Sequence, residues 1–371
     1  MTALSLFEKS TTYNGAYIFM MANRFQMLYF VIIMPTYLIH PYMIWGIVLI
    51  GIVSHFNLML LSKWFRSRFA TKGYDGFVEL FGETLVRFFA WIGLFFLLLK
   101  ASIILIGYVE IVRTFIYPSM NQKWLILFML MISWYVASKG METTIRLIVI
   151  AFFMIIWIIL LIVPFYLPPI AAFHDLFPLI PLEWSEVNWE GLLFIWSSLS
   201  GPEYLICLGP WLRPNENTFK SLAYANALTV LEYLLLFVGS LFFFGSNYLS
   251  TSIYPVVNMY RYLQSPVIER IDMLLISIYL FQFVFAISVL LLCFYGAARI
   301  AGRKTTKPTS RMGYFSSWLT ILACTMIINE WAWNGGTLVN RLLNLQIWSG
   351  AITYLLVPSF LLISIYRKGR V

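Results

Sequence analysis

Ten long apolar stretches fill this 371-residue chain, and four of them carry a charged residue close to the middle: Arg24, Lys100, Glu203 and Glu232. A charge at bilayer depth costs about 2.5–3.5 kcal/mol on insertion scales. Such residues persist where they pair inside a helix bundle or face a wet cavity. The pattern defines an all-α, polytopic integral membrane protein with a polar interior, and function is to be sought in that interior. Composition agrees: 61% of residues are hydrophobic and 11% charged, whereas soluble domains carry about 25% charged residues.

Stretches of about 20 apolar residues are needed to cross the hydrocarbon core. The expected spans are 13–34, 42–61, 88–112, 122–138, 144–164, 190–211, 219–244, 268–298, 313–331 and 343–366. They read as a single membrane domain over 1–371. The first stretch lacks a basic leader and a small-residue cleavage site, so it is expected to stay as a span. A cut within 165–189 leaves five spans on each side. An odd number per half reverses the second half's orientation, so 13–164 and 190–366 are expected to form inverted repeats.

The net charge of +9 does not point to nucleic acid, because its placement follows membrane sidedness. With both termini on one side, that end collects seventeen Lys and Arg, from Lys9, 63–72, 139–146, 213–220, 299–311 and 367–370. The opposite end has five: Arg113, Lys123, Arg261, Arg270 and Arg341. Both termini are therefore expected in the cytoplasm, with the basic loops free to touch anionic lipids. The outer segments 165–189 and 245–267 are rich in aromatic residues and proline and are expected to lie at the membrane interface. Cys207, Cys293 and Cys324 are far apart and read as small buried hydrophobes. With His40, His55 and His174 they show no ligand spacing, so neither a metal nor another cofactor is expected.

Span six is interrupted by Ser200-Gly201-Pro202-Glu203-Tyr204. Proline removes a backbone hydrogen bond and glycine tolerates irregular geometry. Non-helical backbone at this depth is stable only inside protein or along a cavity. Its freed groups can ligate a small zwitterion or ion, and Glu203 favours such a site over a plain kink. In span one, Asn23-Arg24-Phe25-Gln26 must face inward at least in part. Arg24 offers a fork of donors for a carboxylate, which could belong to a ligand or to Glu203 in a helix-locking bridge. Lys100 lies at the centre of span three, with Gly107 on a similar face allowing close approach of a neighbour. Glu232 follows Tyr224, Asn226 and Thr229 on a polar helix, where a structural hydrogen-bond network explains it equally well. Gln282 in span eight needs partners for its amide. Enzyme chemistry finds no footing: no nucleophile–histidine pairing, glycine-rich phosphate loop or spaced carboxylate pair stands out.

Several stretches together resemble the spore germination permease family, the B subunits of nutrient germinant receptors within the amino acid–polyamine–organocation transporter superfamily. They are Ala101-Ser102 with Glu110, Val112 and Arg113; Gly140 with Arg146; Tyr254-Pro255 through Asn258-Met259-Tyr260; Val267 through Asp272; Gln282-Phe283; and Ala297-Ala298-Arg299. The resemblance implies a transporter-like 5+5 bundle whose ligand sits between discontinuous helices one and six, with helices three and eight alongside. The expected ligand-binding residues are Asn23, Arg24, Gln26, Lys100, Ser200, Gly201, Glu203, Tyr204 and Gln282. It further implies sensing of an amino acid or similar nutrient in the spore inner membrane, with a receptor A subunit and a lipoprotein C subunit as partners. A proton- or ion-coupled amino-acid permease, protonated at Glu203 or Glu232, is the alternative, and a structural scaffold for the receptor is a second. One departure stands out: the family's glycine-containing break in helix one is replaced by Met21 through Phe30, without glycine.

Overall fold

The computed structural model describes residues 6–181, 188–213, 217–263, 269–333 and 339–368, which are almost entirely helical. Within them, eight helices are long and apolar enough to cross a membrane. A ninth crossing is the bent pair α1 (Gly15–Gln26) and α2 (Tyr29–Leu38), which meet at 49°. The fourth expected span is the shorter apolar helix α7 (Gln122–Ser138). Val267, Ile268 and Arg370 lie outside the described residues.

The second span is α3 (Met43–Arg66), followed by two short helices that sequence patterning did not foresee, α4 (Arg68–Thr71) and α5 (Tyr74–Phe81). The third is α6 (Glu83–Phe115) and the fifth is α8 (Met141–Ile156), which tightens to 3₁₀ over Trp157–Tyr166. The sixth is α9 (Trp189–Ser198) plus a 3₁₀ segment, Pro202–Trp211. After it come α10 (Thr218–Leu249), the short α11 (Pro255–Arg261), α12 (Ile271–Ala301), α13 (Arg311–Ile328) and α14 (Val339–Lys368).

Two helices form the centre. Residues Leu99 to Val109 of α6 and Gln282 to Tyr295 of α12 are buried on every face. A helix apolar all round belongs in a core, and these two pack on each other more extensively than any other pair. Peripheral helices reverse the soluble pattern. On α3, Trp45, Leu49, Ile52 and Phe56 form an exposed stripe, while Ser54 and Asn57 are buried. Lipid is as apolar as the protein interior, so polar groups gain by facing inward. There Ser54 donates to Asn226 Oδ1 (2.7 Å) and Asn57 to the Tyr354 carbonyl (2.7 Å). Cys207 departs from expectation: it is exposed, while Cys293 is buried and Cys324 intermediate. Its thiol nonetheless reaches that of Cys293, so these two cysteines, distant in sequence, meet in the fold.

The basic loops gather at one end of the bundle. Arg66 donates to Asn217, Lys63 approaches Tyr366, and Tyr13 pairs in parallel with Leu212. Exposed Phe173, Phe177 and Tyr262 lie in the two longer loops of the other end, with 182–187 and 264–268 outside the described residues.

Candidate functional site

The two interrupted spans meet in the middle of the bundle. In span six the helix stops at Ser198 and restarts with Pro202, which suits a first helical position because no N–H is needed there. Between them Gly201 adopts φ +154°. A Cβ on it would stand 2.8 Å from Phe25 Cβ and 3.0 Å from the Phe25 carbonyl oxygen, so the two breaks touch here. Span one breaks at Met27-Leu28 without a glycine. The interruption is held by side chains that capture the freed carbonyls. Gln282 on α12 donates to the carbonyls of Arg24 (2.8 Å) and Met27, and the Tyr233 hydroxyl donates to that of Gln26 (2.6 Å). Across the gap, Gln26 Nε2 donates to the Leu199 carbonyl (3.0 Å) and Lys100 Nζ to the Ser200 carbonyl (3.1 Å). Both breaks are thus capped by the chain's own side chains. Gln282→Leu removes two caps and is expected to lower thermal stability in detergent by about 1–3 kcal/mol.

All nine expected site residues lie at or beside this junction, eight of them buried and Tyr204 partly so. They form two clusters. In the first, Arg24 Nη2 pairs with Glu232 Oε1 at 2.5 Å. Asn23 Oδ1 accepts from the Arg24 guanidinium, and Asn23 Nδ2 donates to Glu232 Oε2 (2.8 Å) and Thr229 Oγ1 (2.9 Å). The Thr229 hydroxyl donates onward to Gln26 Oε1 (2.9 Å), and Arg24 lies 5.3 Å from the Phe152 ring centre on α8. In the second, Lys100 Nζ donates to Ser200 Oγ (2.9 Å) and sits 4.8 Å from the Tyr204 ring centre. Glu203 Oε2 accepts from the Gly201 backbone N–H at 2.6 Å. Thr353 stands beside it with its hydroxyl occupied by the Ser349 and Gly350 carbonyls.

This arrangement corrects one expectation. Arg24 does not bridge to Glu203; its carboxylate is Glu232. α1 packs along α10, whose Asn226, Thr229, Glu232 and Tyr233 all turn to one buried face, so Glu232 arrives opposite Arg24. Glu203 is held by its own break instead. Glu232 is therefore the ion-pair partner within the hydrogen-bond network expected around it, and the spacing of three and four residues along α10 is the sequence signal that marks it. Gly107 does permit close approach, and the neighbour is the Tyr29 ring, 2.6 Å from where a Cβ would be. Among the described residues four polar atoms at the junction have no hydrogen-bond partner: Arg24 Nη1, Ser197 Oγ, Glu203 Oε1 and Gln282 Oε1. A buried donor and a buried acceptor of opposite charge, both unmet, suit a ligand that carries both signs.

These features define a class: polytopic helical membrane proteins in which two interrupted spans meet at the centre of the bundle. The chain belongs to the spore germination protein family, whose model matches residues 16–332. It is also 29% identical over 202 residues to the Spore germination protein GerQB of Bacillus cereus, a match covering 52% of this chain and 54% of that one. The chain thus spans about half the length of this curated relative.

Proposed function

We propose that this chain is the integral-membrane subunit of a nutrient germinant receptor, which senses a small zwitterionic nutrient at the junction of its interrupted spans. The observation that supports it most is a pair of buried polar atoms without partners on oppositely charged groups, Arg24 Nη1 and Glu203 Oε1, beside backbone breaks that the chain caps with its own side chains. A ligand carboxylate competes for Arg24 and its ammonium for Glu203. Binding displaces caps at Leu199 and Ser200 and shifts the bundle between two arrangements. A ligand drives such a shift only through different affinities for the two states. The halves 13–164 and 190–366 act as inverted repeats. The basic end faces the cytoplasm, the membrane is the spore's inner one, and the shift is relayed to an A subunit and a lipoprotein C subunit.

Spores lacking the gene test this reading, with dipicolinate release followed across a panel of nutrients. Loss of response to particular nutrients with normal vegetative uptake is expected. Unchanged germination with impaired uptake of one substrate would instead favour an ion-coupled permease, for which the unmet Glu203 oxygen is a candidate proton site. Accumulation against a gradient in proteoliposomes separates the two.

A further inference from the structure

A cavity lies at the end of the bundle opposite the basic loops, apart from the junction. Its volume is about 620 Å³, within the roughly 300–1,000 Å³ usual for small-molecule sites. Its wall includes Tyr29, Tyr37, Glu110, Arg113, Tyr254 and Trp333. Glu110 and Arg113 sit one turn apart near the end of α6 and pair at 2.7 Å through Glu110 Oε1. Glu110 Oε2 is buried with no hydrogen-bond partner among the described residues. Arg113 contributes one nitrogen to the pair and remains 38% exposed, and a guanidinium has five N–H donors in a planar fork.

We propose that this cavity is a binding site for a free α-amino acid with an aromatic or large aliphatic side chain, separate from the junction. The ligand's ammonium takes the unmet Glu110 oxygen, and its carboxylate takes the open edge of Arg113. The two ends of a zwitterion then lie antiparallel to the protein's own ion pair, and each gains a charge-assisted bond. The rings of Tyr29, Tyr37, Tyr254 and Trp333 receive the side chain. Because the wall's charges cancel, a ligand bearing only one charge meets the wrong partner as well as the right one. The site also connects to both interrupted spans. Tyr29 follows the break in span one and packs on Gly107, about 10 Å along α6 from Lys100 at 1.5 Å per residue. Tyr37 stacks on Phe194 of α9 at 4.2 Å between ring centres. Occupancy therefore bears on the two breaks without entering them.

The test uses the purified full-length chain in lipid nanodiscs with a diazirine-bearing phenylalanine analogue as photoaffinity probe. Adducts are expected on Tyr37, Tyr254 or Trp333. They should be competed by L-phenylalanine, and at least about tenfold less well by its methyl ester or its N-acetyl derivative, each of which lacks one charge-assisted bond. Glu110→Gln and Arg113→Gln should each reduce labelling about tenfold or more. Should either variant fail to fold, adduct position and competition on the unaltered chain still decide. Absence of labelling, or equal competition by ester and parent amino acid, would overturn the assignment. So would adducts confined to Ser200–Tyr204, and that last outcome would strengthen the junction reading while removing this one.

Discussion

Glu232→Ala is expected to destabilise the bundle by about 3–5 kcal/mol, the usual cost of leaving a buried charge without its partner. Arg24 is wholly buried, and Glu232 supplies the carboxylate that meets it at 2.5 Å. The substitution also takes an acceptor from Asn23, whose side-chain Oδ1 orients the same guanidinium. Lipid surrounds the bundle and water cannot reach Arg24 from the side, so repacking offers little relief. Replacing both residues by leucine removes charge and counter-charge together, and such replacements are often neutral or even stabilising. Stability should therefore recover in the double variant while nutrient response stays lost. Thermal unfolding of the parent, Arg24→Leu, Glu232→Leu and the double leucine variant in one detergent gives the coupling energy directly. If the single and double variants melt alike, the ion pair described here is wrong.

Depth and burial were legible in the sequence; pairing was not. Hydropathy alone placed Arg24, Lys100, Glu203 and Glu232 inside the membrane because twenty-residue apolar runs leave a charge nowhere else to go. The interruption of span six was legible for a similar reason, since Gly201-Pro202 carries its own local cause. The interruption of span one has no such mark. Met27 and Leu28 are unremarkable helix formers, and the break exists because Gln282 and Tyr233, more than two hundred residues away, bind the carbonyls it frees. The choice of Glu232 over Glu203 as counter-ion has the same origin. The face of α10 can be read from its spacing, but which helix that face meets is set by packing. The 3₁₀ turns at Trp157–Tyr166 and Pro202–Trp211 each contain a proline, Pro164 and Pro210, whose influence on helix type depends on what can accept the lost bonds. In the sequence Glu110 stands out only through the family resemblance, and Arg113 only through that and the charge asymmetry. Their place beside a cavity depends on Tyr29, Tyr37 and Tyr254 arriving from other elements.

Gly201→Ala tests how closely the two interruptions are bound together. Two independent costs fall on it. The first is conformational: φ +154° is a backbone setting that L residues rarely adopt, and holding one there costs about 1–3 kcal/mol. The second is steric: the new Cβ would lie 2.8 Å from Phe25 Cβ and 3.0 Å from the Phe25 carbonyl oxygen. Neither is the tip of a flexible chain, so relief requires moving the backbone of span one, and overpacking of this kind costs about 1–3 kcal/mol. The expected loss is about 2–6 kcal/mol in all. Two other glycines calibrate it. At Gly350 a Cβ meets the Ser197 and Ser200 hydroxyls at 2.6 and 3.1 Å, and the nearer, Ser197 Oγ, makes no hydrogen bond and can rotate away, so Gly350→Ala should cost less. At Gly93, inside α6, a Cβ meets nothing within 4 Å. Gly93→Ala should gain about 0.5–1 kcal/mol through helix propensity. The order of melting temperatures in a common detergent is therefore Gly93→Ala highest, Gly350→Ala intermediate and Gly201→Ala lowest. A Gly201→Ala protein as stable as Gly93→Ala would separate the two breaks, and with them the idea that a ligand at one is felt at the other. The expected order ties Arg24 and Gln26 on one span to Ser200 and Glu203 on the other through a close backbone approach that only glycine permits.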